Sequence, residues 1–195
     1  MALFQLPHLP EIDDRQIVTA YHGTSAVIAN GIVSTQRMIP GSEEWDWFGR
    51  GVYFWQGDPI RALEWAKRER RVHNLSPEPP DVAVVCAKVR LGTCLDLVDG
   101  RHRALVARAA AAWETEMHRQ GQVLQQNQDK KGYRNHAVFE YIYKHLDVAI
   151  DTIRGVFDEG DELFDKAGLY KLSHIHLCVR NAACIFNLSL DTSTV

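Results

Sequence analysis

The chain has 195 residues, of which 46% are hydrophobic and 24% charged, as in an ordinary globular protein. A chain of this size buries roughly 70% of the surface that its unfolded form exposes, so one core needs no disulfide or metal to hold it. We therefore predict a single domain over residues 1–195. The net charge of −3 provides no overall basic field, which argues against a protein that binds nucleic acid through its total charge.

The N-terminus and the cysteines bear on location. Residues 1–15 contain Pro7 and Pro10 but neither a basic start nor a continuous apolar stretch, so we expect an extended N-terminal arm rather than a signal peptide. No apolar run approaches the ~18 residues of a membrane helix. Without such a run we expect no membrane partner. The cysteines lack CxxC spacing and lie in strand-like surroundings, which favours reduced, buried thiols of a cytoplasmic protein rather than disulfides or zinc ligands. They are Cys86, Cys94, Cys178 and Cys184.

Clusters of β-branched and aromatic residues predict strands, and apolar residues at 3.6-residue spacing predict helices. In chain order we predict a strand at 17–21, a helix at 25–32 that ends beside Gly31, an aromatic-rich loop from Pro40, a strand at 52–55, a helix capped by Asp58 and Pro59, a break at 76–80, two strands about Gly92 within 81–97, a helix at 103–119, a polar exposed stretch at 121–132, a helix at 135–146, and strands at 152–157, 174–180 and 184–190. A long loop at 158–172 lies before the strand at 174–180, and loops of this length usually carry function. The mixture indicates an α+β fold.

The stretch from residue 21 to residue 65 carries the strongest functional signal. Gly49 and Gly51 precede a strand and have no third glycine, so they form neither a dinucleotide fingerprint nor a P-loop. His22 and Tyr53 instead lie at the ends of two short predicted strands, each beside glycines that let a ligand approach the backbone. This arrangement suits a flat ring held between aromatic side chains.

Three motifs together resemble the NAD-binding core of ADP-ribosyltransferases of the H-Y-E clade, which includes the poly(ADP-ribose) polymerases and diphtheria-type toxins. They are His22-Gly23-Thr24, a helix ending at Asn30-Gly31-Ile32, and Phe48-Gly49-Arg50-Gly51-Val52-Tyr53-Phe54. A fourth, Val89-Arg90-Leu91-Gly92 followed by Leu95, is similar to a strand of the polymerases. The resemblance covers much of residues 21–97 and resumes near the C-terminus. It implies an ADP-ribosyltransferase-like split β-sheet core with flanking helices.

The resemblance also implies a site for NAD as co-substrate, without a metal. His22 would hydrogen-bond the adenosine ribose, Gly23 would hold the nicotinamide amide through its backbone, and Tyr53 would stack on the nicotinamide ring. Trp65 is the nearest candidate for a second stacking aromatic, and simple packing of its helix explains it equally well. The remaining NAD-binding positions of the motifs are Thr24, Gly51 and Phe54.

The third residue of the triad departs from the family's glutamate. Glu140, in a segment that superficially copies the catalytic strand of the polymerases, is rejected because it lies opposite the apolar face of a predicted helix, four residues before Lys144, where a surface ion pair is expected. A better match places His176 at the glutamate position, since Val179 and Ile185 keep the spacing of the family's last catalytic strand.

A neutral imidazole can polarise the nicotinamide-ribose 2′-hydroxyl, but it cannot stabilise a cationic transition state as a carboxylate does. We hypothesise that Glu159, or Asp158 beside it, supplies the missing negative charge. The alternating residues His174, His176 and Cys178 form a polar strand face that suits a pocket wall or a partly exposed sheet face. They diverge too little for a closed metal site.

The motifs predict a mono-ADP-ribosyltransferase that cleaves NAD at the nicotinamide glycosidic bond and transfers ADP-ribose to a protein or nucleic acid. The compact chain suits a toxin or defence factor, for which we expect an inhibitor or antitoxin protein as partner. The alternatives are a non-catalytic module that binds NAD or ADP-ribose, and an NAD glycohydrolase. A tRNA 2′-phosphotransferase of related fold would need a basic groove, which the acidic net charge disfavours.

Overall fold

The computed structural model describes residues 3–4, 16–41, 43–73, 81–128 and 131–193, without the side chains of residues 70–73. Most of the predicted N-terminal arm and the break at 76–80 lie outside the described residues. The two described residues of the arm pack against the end of a helix. The backbone N–H groups of Leu3 and Phe4 donate to the His145 carbonyl, at 2.8 and 3.1 Å.

Seven strands and four α-helices make up the described chain. They are β1 (Ile17–Ser25), α1 (Ala26–Thr35), β2 (Val52–Gln56), α2 (Pro59–His73), β3 (Val82–Arg90), β4 (Cys94–Asp96), α3 (Gly100–Arg119), α4 (Tyr133–His145), β5 (Thr152–Phe157), β6 (His174–Val179) and β7 (Ile185–Leu190), with a short 3₁₀ turn at Ala182–Cys184. The predicted α+β class is confirmed.

The strands form one mixed sheet in the order β4-β5-β6-β2-β1-β3-β7. Only the β4–β5 pair is parallel; the other pairs are antiparallel. The two pairings of β1 differ greatly in length. β1 and β3 pair along nine residues, whereas β1 and β2 pair only through Ala20 with Gln56 and Tyr21 with Trp55. Hydrogen bonds thus connect all seven strands. Because the β1–β2 pairing ends at residue 21, an opening lies between these two strands beyond that residue.

The helices leave part of one sheet face uncovered. One face buries Phe54, Leu177 and Val179 in a core that α1 helps to close. On the other face, α2 packs on β1, β2 and β3, while α3 and α4 pack together over β4 and β5. Between them lie the paired residues Trp55 and His176 of β2 and β6. The candidate site lies on this part of the sheet, between α2 and the α3–α4 pair.

Capping corrects two predicted helix limits. The Ser25 hydroxyl accepts from the Ile28 N–H and begins α1. Gly31 is an interior residue and not the predicted end, because α1 continues to Thr35 and ends where Gln36 adopts a left-handed conformation with φ of 52°. The α3 helix begins three residues earlier than predicted, at Gly100, since the Asp99 carboxylate accepts from the Arg101 N–H at 2.7 Å.

The burial of the cysteines agrees with the prediction for three of the four. All four cysteines are free thiols, and three of them are buried; Cys86 is half-buried, which corrects the prediction for that residue. Within the ranges given above, no helix combines the length and apolarity needed to cross a membrane.

Candidate functional site

His22 lies where β1 and β2 part. Its Nδ1 is 2.8 Å from the carbonyl oxygen of Tyr53. A carbonyl oxygen only accepts, so Nδ1 carries the hydrogen. Burial lowers the pKa of His22, against a smaller opposing effect of this hydrogen bond. In the neutral ring Nε2 is then an acceptor, and His22 lines a cavity at the opening.

The backbone of Gly23 faces the same opening. Even-numbered residues at both ends of β1 hydrogen-bond on the β3 side: Gln16 O accepts from Leu91 N–H, and Ala26 N–H donates to Asp81 O. The odd-numbered Thr19 bonds on the β2 side, where its carbonyl accepts from Gly57 N–H. Backbone groups alternate between the two sides of a strand, so Gly23 directs its N–H and C=O toward β2. The β1–β2 pairing ends at Tyr21, which leaves both groups at the edge of the opening.

Gly23 also has a packing role, which the motif did not reveal. A Cβ atom added to Gly23 would overlap the carbonyl oxygen of Ala62 in α2. Only a glycine therefore lets α2 lie this close to β1. The close approach brings Trp65 of α2 to the opening, where it contacts Trp55 with ring centroids 5.7 Å apart.

Tyr53 is fixed through its hydroxyl, and its ring lines the cavity. The hydroxyl donates to Gly49 O at 2.6 Å and accepts from Phe48 N–H at 2.9 Å. Burial is the first cause that raises the pKa of Tyr53 above its usual range. The hydroxyl is therefore used in holding the preceding turn, and the ring is the part of Tyr53 that a ligand would meet.

Two adjoining cavities form the cleft. The first has a volume of about 520 Å³ and is lined by residues that include His22, Asp46, Tyr53 and His176. The second, of about 570 Å³, is lined by residues that include Arg61, Phe157, Glu159 and His174. They share the walls Trp47, Trp55, Trp65, Arg68 and His176. Tryptophan side chains thus line both cavities, which suits a site for flat rings.

His176 forms part of the floor common to both cavities. Its ring stacks on Trp55, with centroids 5.4 Å apart and an interplanar angle of 21°, and meets Tyr53 edge-on at 5.2 Å. Burial, followed by the charges of His174 and Arg61, lowers the pKa of His176 to about 3. The imidazole is therefore neutral at physiological pH. Its Nε2 is buried and has no hydrogen-bond partner among the residues that the structure describes.

Glu159 lies on the second cavity and is not part of the first. Its carboxylate forms an ion pair with Arg61 at 2.9 Å, and the same guanidinium contacts Glu64 at 3.0 Å. Arg61 is only 8% exposed, so this charge pair is partly shielded from water. Asp158, the alternative, accepts from the Ser173 hydroxyl at 2.6 Å. A buried cation thus already compensates the negative charge of Glu159.

Three predicted NAD-binding residues are not on the cleft. Phe54 is fully buried in the core, and Thr24 is paired with Ala83 of β3. Gly51 is required by packing, because a Cβ atom there would overlap the Cys178 sulfur. Phe54 and Gly51 thus serve the packing of the sheet, and a contact of Thr24, Gly51 or Phe54 with NAD stays a prediction.

Glu140 lies in α4, which agrees with its rejection as the catalytic glutamate. Its ion pair is with Arg180 at 3.0 Å, and it also accepts from Arg50 N–H. The predicted partner Lys144 is therefore wrong. No cluster of three or more metal-ligating side chains is found in the described ranges.

The loop between α1 and β2 forms one wall of the first cavity, and sequence reasoning missed its carboxylate, Asp46. Trp45, Asp46 and Trp47 of this loop line the first cavity, together with Lys131. Burial, followed by the charge of Glu43, raises the pKa of Asp46 to about 6, despite an opposing hydrogen bond from the Glu43 backbone. The density of aromatic residues in this loop is compatible with packing onto the core or with a pocket wall, and Trp45 and Trp47 line the cavity.

Comparisons with known proteins give no match: no protein family, no curated protein and no solved structure is similar to this chain.

Proposed function

We propose that this chain has the ADP-ribosyltransferase fold and acts as a mono-ADP-ribosyltransferase. It would cleave NAD at the nicotinamide glycosidic bond and transfer ADP-ribose to a nucleophile on a protein or nucleic acid. One observation carries the proposal. His22 and Tyr53, which are 31 positions apart in the sequence, are joined by a 2.8 Å hydrogen bond at the opening of the sheet, beside an aromatic cleft.

The cleft offers partners for the nicotinamide, a ribose and the diphosphate of NAD. The backbone N–H and C=O of Gly23 match the carboxamide of nicotinamide, and Tyr53 and Trp65 offer faces for its ring. The acceptor Nε2 of His22 suits a ribose hydroxyl. Arg68, which lines both cavities, provides positive charge for the diphosphate.

The reaction breaks the bond between C1′ of the ribose and the ring nitrogen of nicotinamide. The bonding electron pair leaves with nicotinamide, which becomes neutral, and the acceptor forms a new bond to C1′ and releases its proton. C1′ is cationic in the transition state, so an oriented negative charge accelerates the step. With His176 at the place of the family's glutamate, we propose transfer of a single ADP-ribose rather than chain elongation.

The test is incubation of the purified chain with labelled NAD and mixed protein and RNA acceptors. We expect nicotinamide release and label transfer. His22→Ala and Tyr53→Ala should each lower the rate by roughly 100-fold or more, the scale on which one oriented group contributes to a transition state. His118→Ala, an exposed histidine at the end of α3, is the matched control and should keep the wild-type rate. Absence of both nicotinamide release and label transfer would refute the proposal.

A non-catalytic module that binds NAD or ADP-ribose is the second candidate. Its support is specific: the imidazole of His176 is neutral, and Glu159 is compensated by Arg61. NAD binding without turnover would favour this candidate. An NAD glycohydrolase would yield free ADP-ribose as the one labelled product, whatever acceptor is added.

We further propose that the chain acts as a cytoplasmic toxin or defence factor controlled by an inhibitor protein. Expression in a bacterial host should then arrest growth, and His22→Ala should relieve the arrest. Normal growth with the wild-type chain at the same expression level would contradict this role.

A further inference from the structure

The proposed function needs a carboxylate close to C1′ of the nicotinamide ribose, and the residues suggested by sequence do not provide one in the first cavity. His176 is neutral, and Glu159 lines the second cavity in an ion pair with Arg61. The described side chains that line the first cavity include two carboxylates, those of Asp46 and Glu69. Of these two residues, Asp46 is connected to Tyr53 by hydrogen bonds through the Gly49 backbone.

Asp46 belongs to the turn that Tyr53 holds. The Asp46 carbonyl accepts from Gly49 N–H at 3.1 Å, and the Gly49 carbonyl accepts from the Tyr53 hydroxyl at 2.6 Å. On the other side, Asp46 N–H donates to Glu43 O at 3.2 Å. Hydrogen bonds therefore connect the backbone of Asp46 to Tyr53, whose ring lines the same cavity as the Asp46 side chain.

The charge of Asp46 acts on the site. It is one of the causes that raise the pKa of the Tyr53 hydroxyl and that of the Cys178 thiol. Among the described side chains no cation forms an ion pair with it, in contrast to Glu159 and Arg61. A half-buried carboxylate without a compensating cation exerts a stronger field on a nearby positive charge than a paired one does.

We propose that Asp46 is the catalytic carboxylate of this site, accepting a hydrogen bond from the 2′-hydroxyl of the nicotinamide ribose and stabilising the positive charge on C1′. The inference rests on the proposed function. Asp46 stays ionised and forms no covalent bond. The electron pair of the C1′–nitrogen bond leaves with nicotinamide, and the proton of the attacking nucleophile is released to solvent. The catalytic charge thus comes from the loop before β2 and not from β6.

The experiment compares Asp46→Asn with Glu44→Gln, an exposed carboxylate of the same loop. NAD affinity is followed by quenching of tryptophan fluorescence, and turnover by release of nicotinamide. We expect Asp46→Asn to bind NAD within about three-fold of wild type and to release nicotinamide at least roughly 100-fold more slowly, on the scale of one lost electrostatic contact to a transition state. Glu44→Gln should match wild type in both measurements.

The outcomes separate the two proposals. If wild type releases no nicotinamide, the proposed function fails. If wild type is active and Asp46→Asn either loses less than this factor in rate or loses NAD affinity, the role of Asp46 is overturned and the function stands. Glu159→Gln is measured alongside, and a larger loss of turnover there than in Asp46→Asn would also overturn the assignment. If Asp46→Asn does not fold, Asp46→Ser is judged by the same criteria.

Discussion

Tyr53 illustrates how one side chain divides two tasks between its hydroxyl and its ring. The hydroxyl bonds to Phe48 N–H and Gly49 O, so Tyr53→Phe should leave a partly buried N–H without an acceptor. We expect a loss of about 1–3 kcal/mol in the free energy of unfolding with NAD affinity nearly unchanged. Tyr53→Ala removes the ring as well and should therefore also lower the affinity for NAD. Urea unfolding and an NAD titration check both effects, and loss of affinity in Tyr53→Phe without loss of stability would contradict the assignment.

His176 makes stability depend on pH. Burial lowers its pKa from 6.5 to about 3. Between these values the unfolded chain binds a proton that the folded chain does not, so the free energy of unfolding falls as pH decreases, by at most about 1.4 kcal/mol per pH unit for this residue. The contribution is fully present above the unfolded pKa and is lost as pH falls toward the folded one. His22, whose pKa burial also lowers, acts in the same sense.

Urea unfolding across this acidic range should therefore show declining stability, with a smaller decline in His176→Gln. The exposed His118→Gln is the control and should keep the wild-type slope. The acid Asp46 acts in the opposite sense, because its pKa is raised to about 6. Equal slopes in wild type and His176→Gln would show that His176 is solvated in the folded chain.

The sequence identified some site residues and not others for a physical reason. His22 and Tyr53 stand in motifs whose glycines and strands constrain them, and the structure brings them together. Phe54 and Gly51 belong to the same motif, yet the alternation of the strand and the contact with β6 direct them to packing. Asp46 is a loop carboxylate without a periodic pattern, and its burial depends on how the loop folds over the sheet.

At the level of elements, the close contact of α2 with β1 gives a paired test on two glycines. Gly23→Ala should overlap the Ala62 carbonyl and force α2 away, at a cost of about 1–3 kcal/mol or more. Gly31→Ala, inside α1 with open space about its Cβ position, should stabilise the chain by up to about 1 kcal/mol. Thermal unfolding of both variants checks the prediction, and destabilisation by Gly31→Ala would contradict the described path of α1.

Element types were predicted better than their ends. Periodicity located all four α-helices, but the end of α1 depends on Gln36, whose side-chain amide donates to the carbonyls of Val33 and Leu188. Leu188 lies in β7, far along the chain. A contact between residues so far apart in the chain cannot be read from the local sequence. The local sequence therefore predicts the end of α1 at Gly31, because glycine often follows the end of a helix.

For the whole molecule, burial predicts thiol reactivity. Burial raises the pKa of Cys94 to about 11 and that of Cys178 to about 12, and it is also the first cause that raises the pKa of Cys184. Because the thiolate is the reactive form, a brief treatment of the folded chain with iodoacetamide should modify Cys86 far faster than the others. Peptide mass spectrometry gives the result. Denaturant should make all four react, and early modification of Cys178 would contradict the described core.

The class of the fold followed from composition and pattern, whereas the strand order did not. Strand patterns reveal which faces are apolar, and they contain no information on partners. β2 pairs with β6, which lies more than a hundred positions further along the chain, and the opening of the sheet exists because β2 pairs with β6 through four residues and with β1 through two residues only. The predicted α+β class is thus confirmed at the level of elements, and the opening became visible only in three dimensions.

The pairing of Trp55 with His176 determines when the cleft can form during synthesis of the chain. A ribosome makes β1, β2 and α2 early, yet the floor of the cleft does not exist until β6 has left the exit tunnel and found β2. Such distant pairings close late in folding. Chains interrupted before β6 therefore lack a floor to the cleft, and a ligand that needs this floor cannot bind until β6 has been translated and has paired with β2.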